Sequence, residues 1–87
     1  MTDKKWEVIA QFQASQMDDI EVRDVCEKHG GQFVGGGIML ATATRDVQYE
    51  FERQIDAQNA AAELMSFGID SVIRSPDGDS VSVKGLH

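Results

Sequence analysis

Between Thr44 and Arg53 the chain reads TRDVQYEFER, and its apolar residues recur at every second position. Val47, Tyr49 and Phe51 fall on one side of an extended backbone, with Asp46, Gln48, Glu50 and Glu52 on the other. Successive side chains of a strand point to opposite faces, so this stretch is a strand with one face buried and one face wet. A polar outer face is the norm on antiparallel sheets whose other face carries the core. WEVIAQFQA has the same parity, with Trp6, Val8, Ala10 and Phe12 inward and Glu7, Ile9, Gln11 and Gln13 outward.

The segments around these two strands alternate in type. ASQMDDIEVRDVCEKHGG predicts a helix of three to four turns. Ser15 is its expected N-cap, and Asp18 and Asp19 fall in the first turn, where the helix dipole favours negative charge. Met17, Ile20, Val25 and Cys26 form its apolar stripe with Val22 on the margin, His29 falls in its last turn, and Gly30 is the stop. QFVGGGIMLATAT is β-prone, and Gly35 to Gly37 inside it point to a bulge or bend. A second helix is expected from Asp56, as N-cap, to Phe67, with Ala57, Ala60, Ala61, Leu64 and Met65 inward and Gly68 as its end. IDSVIRS reads as a fourth strand and SPDGDS as a turn, after which Ser80 to Lys84 is either a short fifth strand or a tail.

The order is β-α-β-β-α-β plus a terminal strand within one domain, residues 1–87, with its core in 5–75 and the turn and strand or tail in 76–87. The expected fold class is α+β, a ferredoxin-like sandwich. Two helices pack on one face of an antiparallel sheet and the other face stays open. Right-handed crossovers place the first and third strands side by side in the centre. The expected core is Trp6, Val8, Phe12, Ile20, Val25, Val47, Tyr49, Phe51, Leu64 and Met65.

Composition narrows the chemistry. Fifteen acidic residues against eight basic ones give a formal charge of −7, which opposes phosphate backbones and favours basic partners. The lone cysteine, Cys26, cannot form an intramolecular disulfide and reads as a small core residue. No Cys/His set has zinc spacing, no nucleophile and base are paired, and the glycines of GGGIML lead into strand rather than into a phosphate-holding helix. Neither a metal nor a cofactor is expected. No apolar run approaches the ~18 residues that span a bilayer, and MTDKKWEVIA lacks a signal-peptide core, so the expected setting is soluble and cytoplasmic, without a membrane partner.

The step from Phe51 through four residues to DAQNA resembles the third strand and second helix of RNA-recognition domains. That resemblance implies the ferredoxin-like plan. It also marks where such domains carry base-stacking rings, here Asp46 and Gln48 on one strand and Glu7, Ile9 and Gln11 on the other. None is aromatic, and carboxylates at these places repel phosphates, so direct nucleic-acid binding is not expected. Metal-chaperone domains share the topology but need a Cys-x-x-Cys pair that FQASQMDD lacks.

The expected function is a small, acidic, non-catalytic interaction module. It would bind a basic protein surface through Glu7, Ile9, Gln11, Asp46, Gln48, Glu50 and Glu52, in the manner of regulators or of phage- and mobile-element-encoded inhibitors. The alternative is a self-associating domain, joined through its terminal strand or through Ile9, with a ligand or enzymatic site at the interface.

Overall fold

The computed structural model describes residues 5–13, 18–39 and 44–86, with residues 38 and 39 as backbone only. Seven elements follow one another: β1 (Trp6–Gln13), α1 (Asp19–Lys28), β2 (Gln32–Met39), β3 (Thr44–Phe51), α2 (Gln54–Ser66), β4 (Asp70–Arg74) and β5 (Ser80–Val83). The strands form one sheet in the order β2-β3-β1-β4-β5, with every neighbouring pair antiparallel. β1 and β3 lie side by side in the middle, as the crossover argument requires.

Strand parity decides which residues meet the helices. Val8 pairs with Tyr49 and Ala10 with Val47, and these inward residues are buried together with Phe12 and Phe51. Both helices cover this face. Val22, Val25 and Cys26 come down from α1, and Ala57, Ala60 and Leu64 from α2. The alanines recur at helical spacing and let α2 sit close to the sheet. Trp6 and Met65 are only partly buried, and Trp6 and Ile73 each pack against the margin of the core. Phe12, Phe51 and Leu64 are the largest fully enclosed side chains, each stabilising the fold by roughly 1.5–3 kcal/mol through burial.

The start of α1 corrects two expectations. Its N-cap is Asp18, whose carboxylate accepts from the Glu21 amide at 2.9 Å and satisfies one of the helix's orphan donors. Ser15 and Met17 lie outside the described residues. Ile20, expected in the core, is 59% exposed. It lies two residues before Val22, about 200° around the helix, so it cannot share a face with Val22, Val25 and Cys26. Val22 is the centre of the stripe rather than its margin.

In α2 the helix begins at Gln54, two residues before the expected start, and Arg53 is its cap residue. Asp56 sits inside the first turn, where it holds the Arg53 guanidinium through contacts of 3.0 and 3.1 Å. Gly68 ends the helix at φ +82°, a left-handed conformation that other L-residues adopt at a cost. Beyond β4 the turn at Ser75 to Asp79 closes through the Ser75 amide on the Asp79 carbonyl at 2.7 Å. β5 then pairs back on β4, with Ser71 opposite Val83 and Ile73 opposite Val81. The chain after it is docked as well: Gly85 N–H donates to Asp70 Oδ1 at 2.7 Å and Leu86 N–H to the Met65 carbonyl at 3.0 Å. The C-terminal segment is therefore a strand followed by a strap over the end of α2.

A clasp joins the helices. Glu63 on α2 accepts from Lys28 Nζ at 2.6 Å and lies 3.2 Å from His29 Nε2, the C-cap of α1. The Lys28 ammonium, and after it His29, hold the Glu63 carboxyl below the ordinary glutamate range against the opposing effect of its partial burial. Among the described residues no helix is long and apolar enough to cross a membrane.

Candidate functional site

The face of the sheet turned away from the helices is assembled by register alone. Each outward residue of β1 lies between one of β3 and one of β4, giving three cross-strand rows. Glu7 stands between Glu50 and Arg74, Ile9 between Gln48 and Val72, and Gln11 between Asp46 and Asp70. On the far side of β3, Gln32, Gly35 and Gly37 continue the rows, and on the far side of β4, Ser80 and Ser82 do so.

Six of the seven expected partner-binding residues, Glu7, Ile9, Gln11, Asp46, Gln48 and Glu50, thus share one surface. Glu52 does not belong to it. It follows the last residue of β3, its side chain is 83% exposed, and its carboxylate is 4.0 Å from Lys5 Nζ at the rim. Sequence reasoning missed the contribution of β4, which brings Asp70, Val72 and Arg74. The alternation of IDSVIRS carried that signal, but the inward Ser71 and the outward Val72 blur it.

The charge on this surface is unbalanced. Glu7, Asp46, Glu50 and Asp70 face one guanidinium, Arg74, whose Nη1 is 4.0 Å from Glu7 Oε1. Glu7 and Glu50 occupy directly opposed positions in the two central strands, where Cβ atoms come within about 4.5–5.5 Å and like charges destabilise the pair. Arg74 offsets Glu7, and Glu50 shares a cavity at the rim with Lys5 and Arg53. Asp70 is partly engaged by Gly85, and Asp46 is the one exposed carboxylate of the four.

The glycines of β2 shape one edge of the face. The register slips once, between Phe33 and Gly35, so the bulge lies at Val34 and the glycines themselves are regularly paired with β3. Gly35 and Gly37 are outward, with open space where a Cβ would sit. The bare backbone floors a trough of about 330 Å³ between Ile9, Gln48 and Asp46.

A second concavity lies on the helical side. Gly36 faces inward with no side chain, and the gap between α1 and the β2–β3 edge is a groove of about 470 Å³ walled by Ile20, Phe33 and Tyr49. Phe33 is 59% exposed and meets the Tyr49 ring edge-on at 5.6 Å. Arg45 and Asp19 close one end through a 2.6 Å contact between Nη2 and Oδ2, which ties β3 to α1. Burial, and then the neighbouring Cys26 and Glu27, push the Tyr49 hydroxyl up to about 12.

The remaining reactive groups are occupied structurally. Cys26 is fully buried, and its desolvation pushes the thiol up to about 12, where it stays protonated and unreactive. His29 caps α1 and faces Glu63. Among the described residues no three His, Cys, Asp or Glu side chains converge as a metal site would require. No protein-family model, curated protein or solved structure matches the chain.

Proposed function

We propose that this protein is a non-catalytic interaction module whose open sheet face binds a basic surface on a protein partner. The scaffold is read as the ferredoxin-like plan with one strand added. The order β2-β3-β1-β4 and the two helices on one face support that reading, and β5 extends the edge beyond β4. The observation that carries the function is the opposition of Glu7 and Glu50 at the centre of the sheet, with Asp46 two rows away. Two carboxylates in register cost the isolated fold stability, and a cationic partner turns that cost into binding free energy.

The partner surface is one rich in Arg and Lys, of the sort that otherwise holds phosphates. A small acidic inhibitor of a nucleic-acid-binding protein, as encoded by phages and mobile elements, is the specific form of this proposal. Direct binding to RNA is not part of it, because no ring on the outward face of β1 or β3 offers a stacking surface.

A defined probe tests the reading. An Arg/Lys-rich peptide titrated into the protein should bind, with an affinity that falls as salt rises. Neutralising Glu7→Gln, Asp46→Asn and Glu50→Gln together should weaken binding about tenfold, equivalent to ~1.4 kcal/mol. A control with the same net charge, Asp24→Asn, Glu27→Gln and Asp77→Asn, removes exposed carboxylates elsewhere. If the control loses as much affinity as the face variant, net charge rather than this face is responsible and the proposal fails.

A further inference from the structure

The two edges of the sheet are protected very differently. β5 spans only Ser80–Val83, and Asp77 and Asp79 stand at the turn that leads into it. Shortness and nearby charge are how proteins keep an edge from pairing with another chain. β2, at the opposite edge, runs for eight residues and contains neither proline nor any ionisable side chain. Its one safeguard is the bulge beside Val34, after which Gly35 to Met39 pair regularly with β3. Among the described side chains, Phe33 at 59% and Val34 at 48% are exposed on β2, and Ile20 at 59% faces Phe33 across the groove on α1.

From these features we infer that β2 is a homodimer interface, pairing antiparallel with β2 of a second copy to form a ten-stranded sheet. The occupant follows from charge. A chain of net charge −7 repels its own copy through most of its surface, and face-to-face stacking would oppose Glu7, Asp46 and Glu50 to the same residues. β2 itself carries no charge to set against its own copy. A symmetric pair places the strand against itself, so a charge in it would face or neighbour its own copy, and it has none. Pairing also satisfies the edge backbone groups that no described strand pairs, and covers Phe33, Val34 and the mouth of the groove. A two-fold axis normal to the sheet keeps both open faces on the same side, doubling the acidic surface without blocking it.

This interface differs from self-association through β5 or Ile9, and it has a salt signature opposite to that of the acidic face. Screening weakens binding to a cationic peptide but relieves repulsion between two anionic copies, so dimerisation should strengthen as salt rises. The test is sedimentation equilibrium from about 1 μM to 1 mM, a span chosen to bracket ordinary self-association constants, at low and high salt. It is joined by hydrogen exchange of the β2 amides across the same concentrations. The expected result is a dimer favoured by salt, with β2 amides gaining protection as concentration rises. Val34→Lys, at an exposed edge position, should leave the chain folded and monomeric. Val81→Lys, at the β5 edge, should leave it dimeric. A monomer throughout that range overturns the inference, as does a dimer that survives Val34→Lys or one whose β2 amides gain no protection. Peptide binding by the monomeric Val34→Lys variant reports on the acidic face separately, so each proposal can fail without the other.

Discussion

Cys26 and Gly85 show how a single residue's environment fixes what it can do. Cys26 is enclosed by the core, with its thiol pushed up to about 12 chiefly by burial. A neutral thiol without access to solvent does not attack disulfide reagents. Labelling with an aromatic disulfide at pH 7 should therefore be negligible in the native protein and complete in denaturant; rapid native labelling would show that α1 opens locally. Gly85 is constrained by space rather than solvation. A Cβ there would overlap the Gly68 carbonyl group and the Ile69 amide nitrogen, all of them backbone that cannot swing away. Gly85→Ala should cost roughly 1–3 kcal/mol, typical of overpacking, read as a loss of midpoint in urea. The burial of Cys26 was legible in the sequence because a free cysteine beside Val25 and four residues after Val22 is usually a small core residue. The constraint on Gly85 was not, because it arises between two segments that no local pattern connects.

Between elements, the helix clasp and the phase of α1 govern how the helices sit on the sheet. Glu63 joins two helices through Lys28 and His29, and its carboxyl is held below the ordinary range, first by the Lys28 hydrogen bond. A carboxyl lowered by folding contributes stability that is present above its unfolded value and lost as pH falls through its folded value. Thermal melts from neutral pH down past the ordinary glutamate value should show that loss, and Glu63→Gln should abolish this share of it. At neutral pH the substitution should cost at most about 1 kcal/mol, since the pair is partly solvated. An unchanged acid limb in Glu63→Gln would assign the pH dependence to other carboxylates. The strands were legible because period-two alternation survives in β1 and β3 with hardly a break. The phase of α1 was harder to read, since Ile20 and Val22 are both apolar and only the spacing of Val22 to Val25 and Cys26 decides which one faces the sheet. On the open face, the six residues of β1 and β3 followed from parity, whereas Val72 and Arg74 needed the pairing of β4 with β1.

For the whole molecule, the question is how a chain of net charge −7 folds with carboxylates in register at the centre of its sheet. Self-repulsion opposes compaction, and screening relieves it, so the melting temperature should rise with added salt. That rise has a local component, because Glu7 and Glu50 are opposed while Arg74 lies 4.0 Å from Glu7. Removing Glu50 takes away repulsion and leaves the Arg74 contact intact. Removing Glu7 takes away the same repulsion and strands Arg74. Glu50→Gln should therefore stabilise by up to about 1 kcal/mol, the scale of a cross-strand pair, or a few degrees in Tm for a domain of this size. Glu7→Gln should gain less, and the dependence of Tm on salt should be shallower in both. Differential scanning measurements at low and high salt distinguish this from a uniform charge effect, under which Glu50→Gln, Glu7→Gln and Glu27→Gln on the exposed side of α1 would behave alike. If Glu50→Gln both raises Tm and weakens binding to a cationic peptide, the same carboxylate costs the fold stability and contributes to recognition.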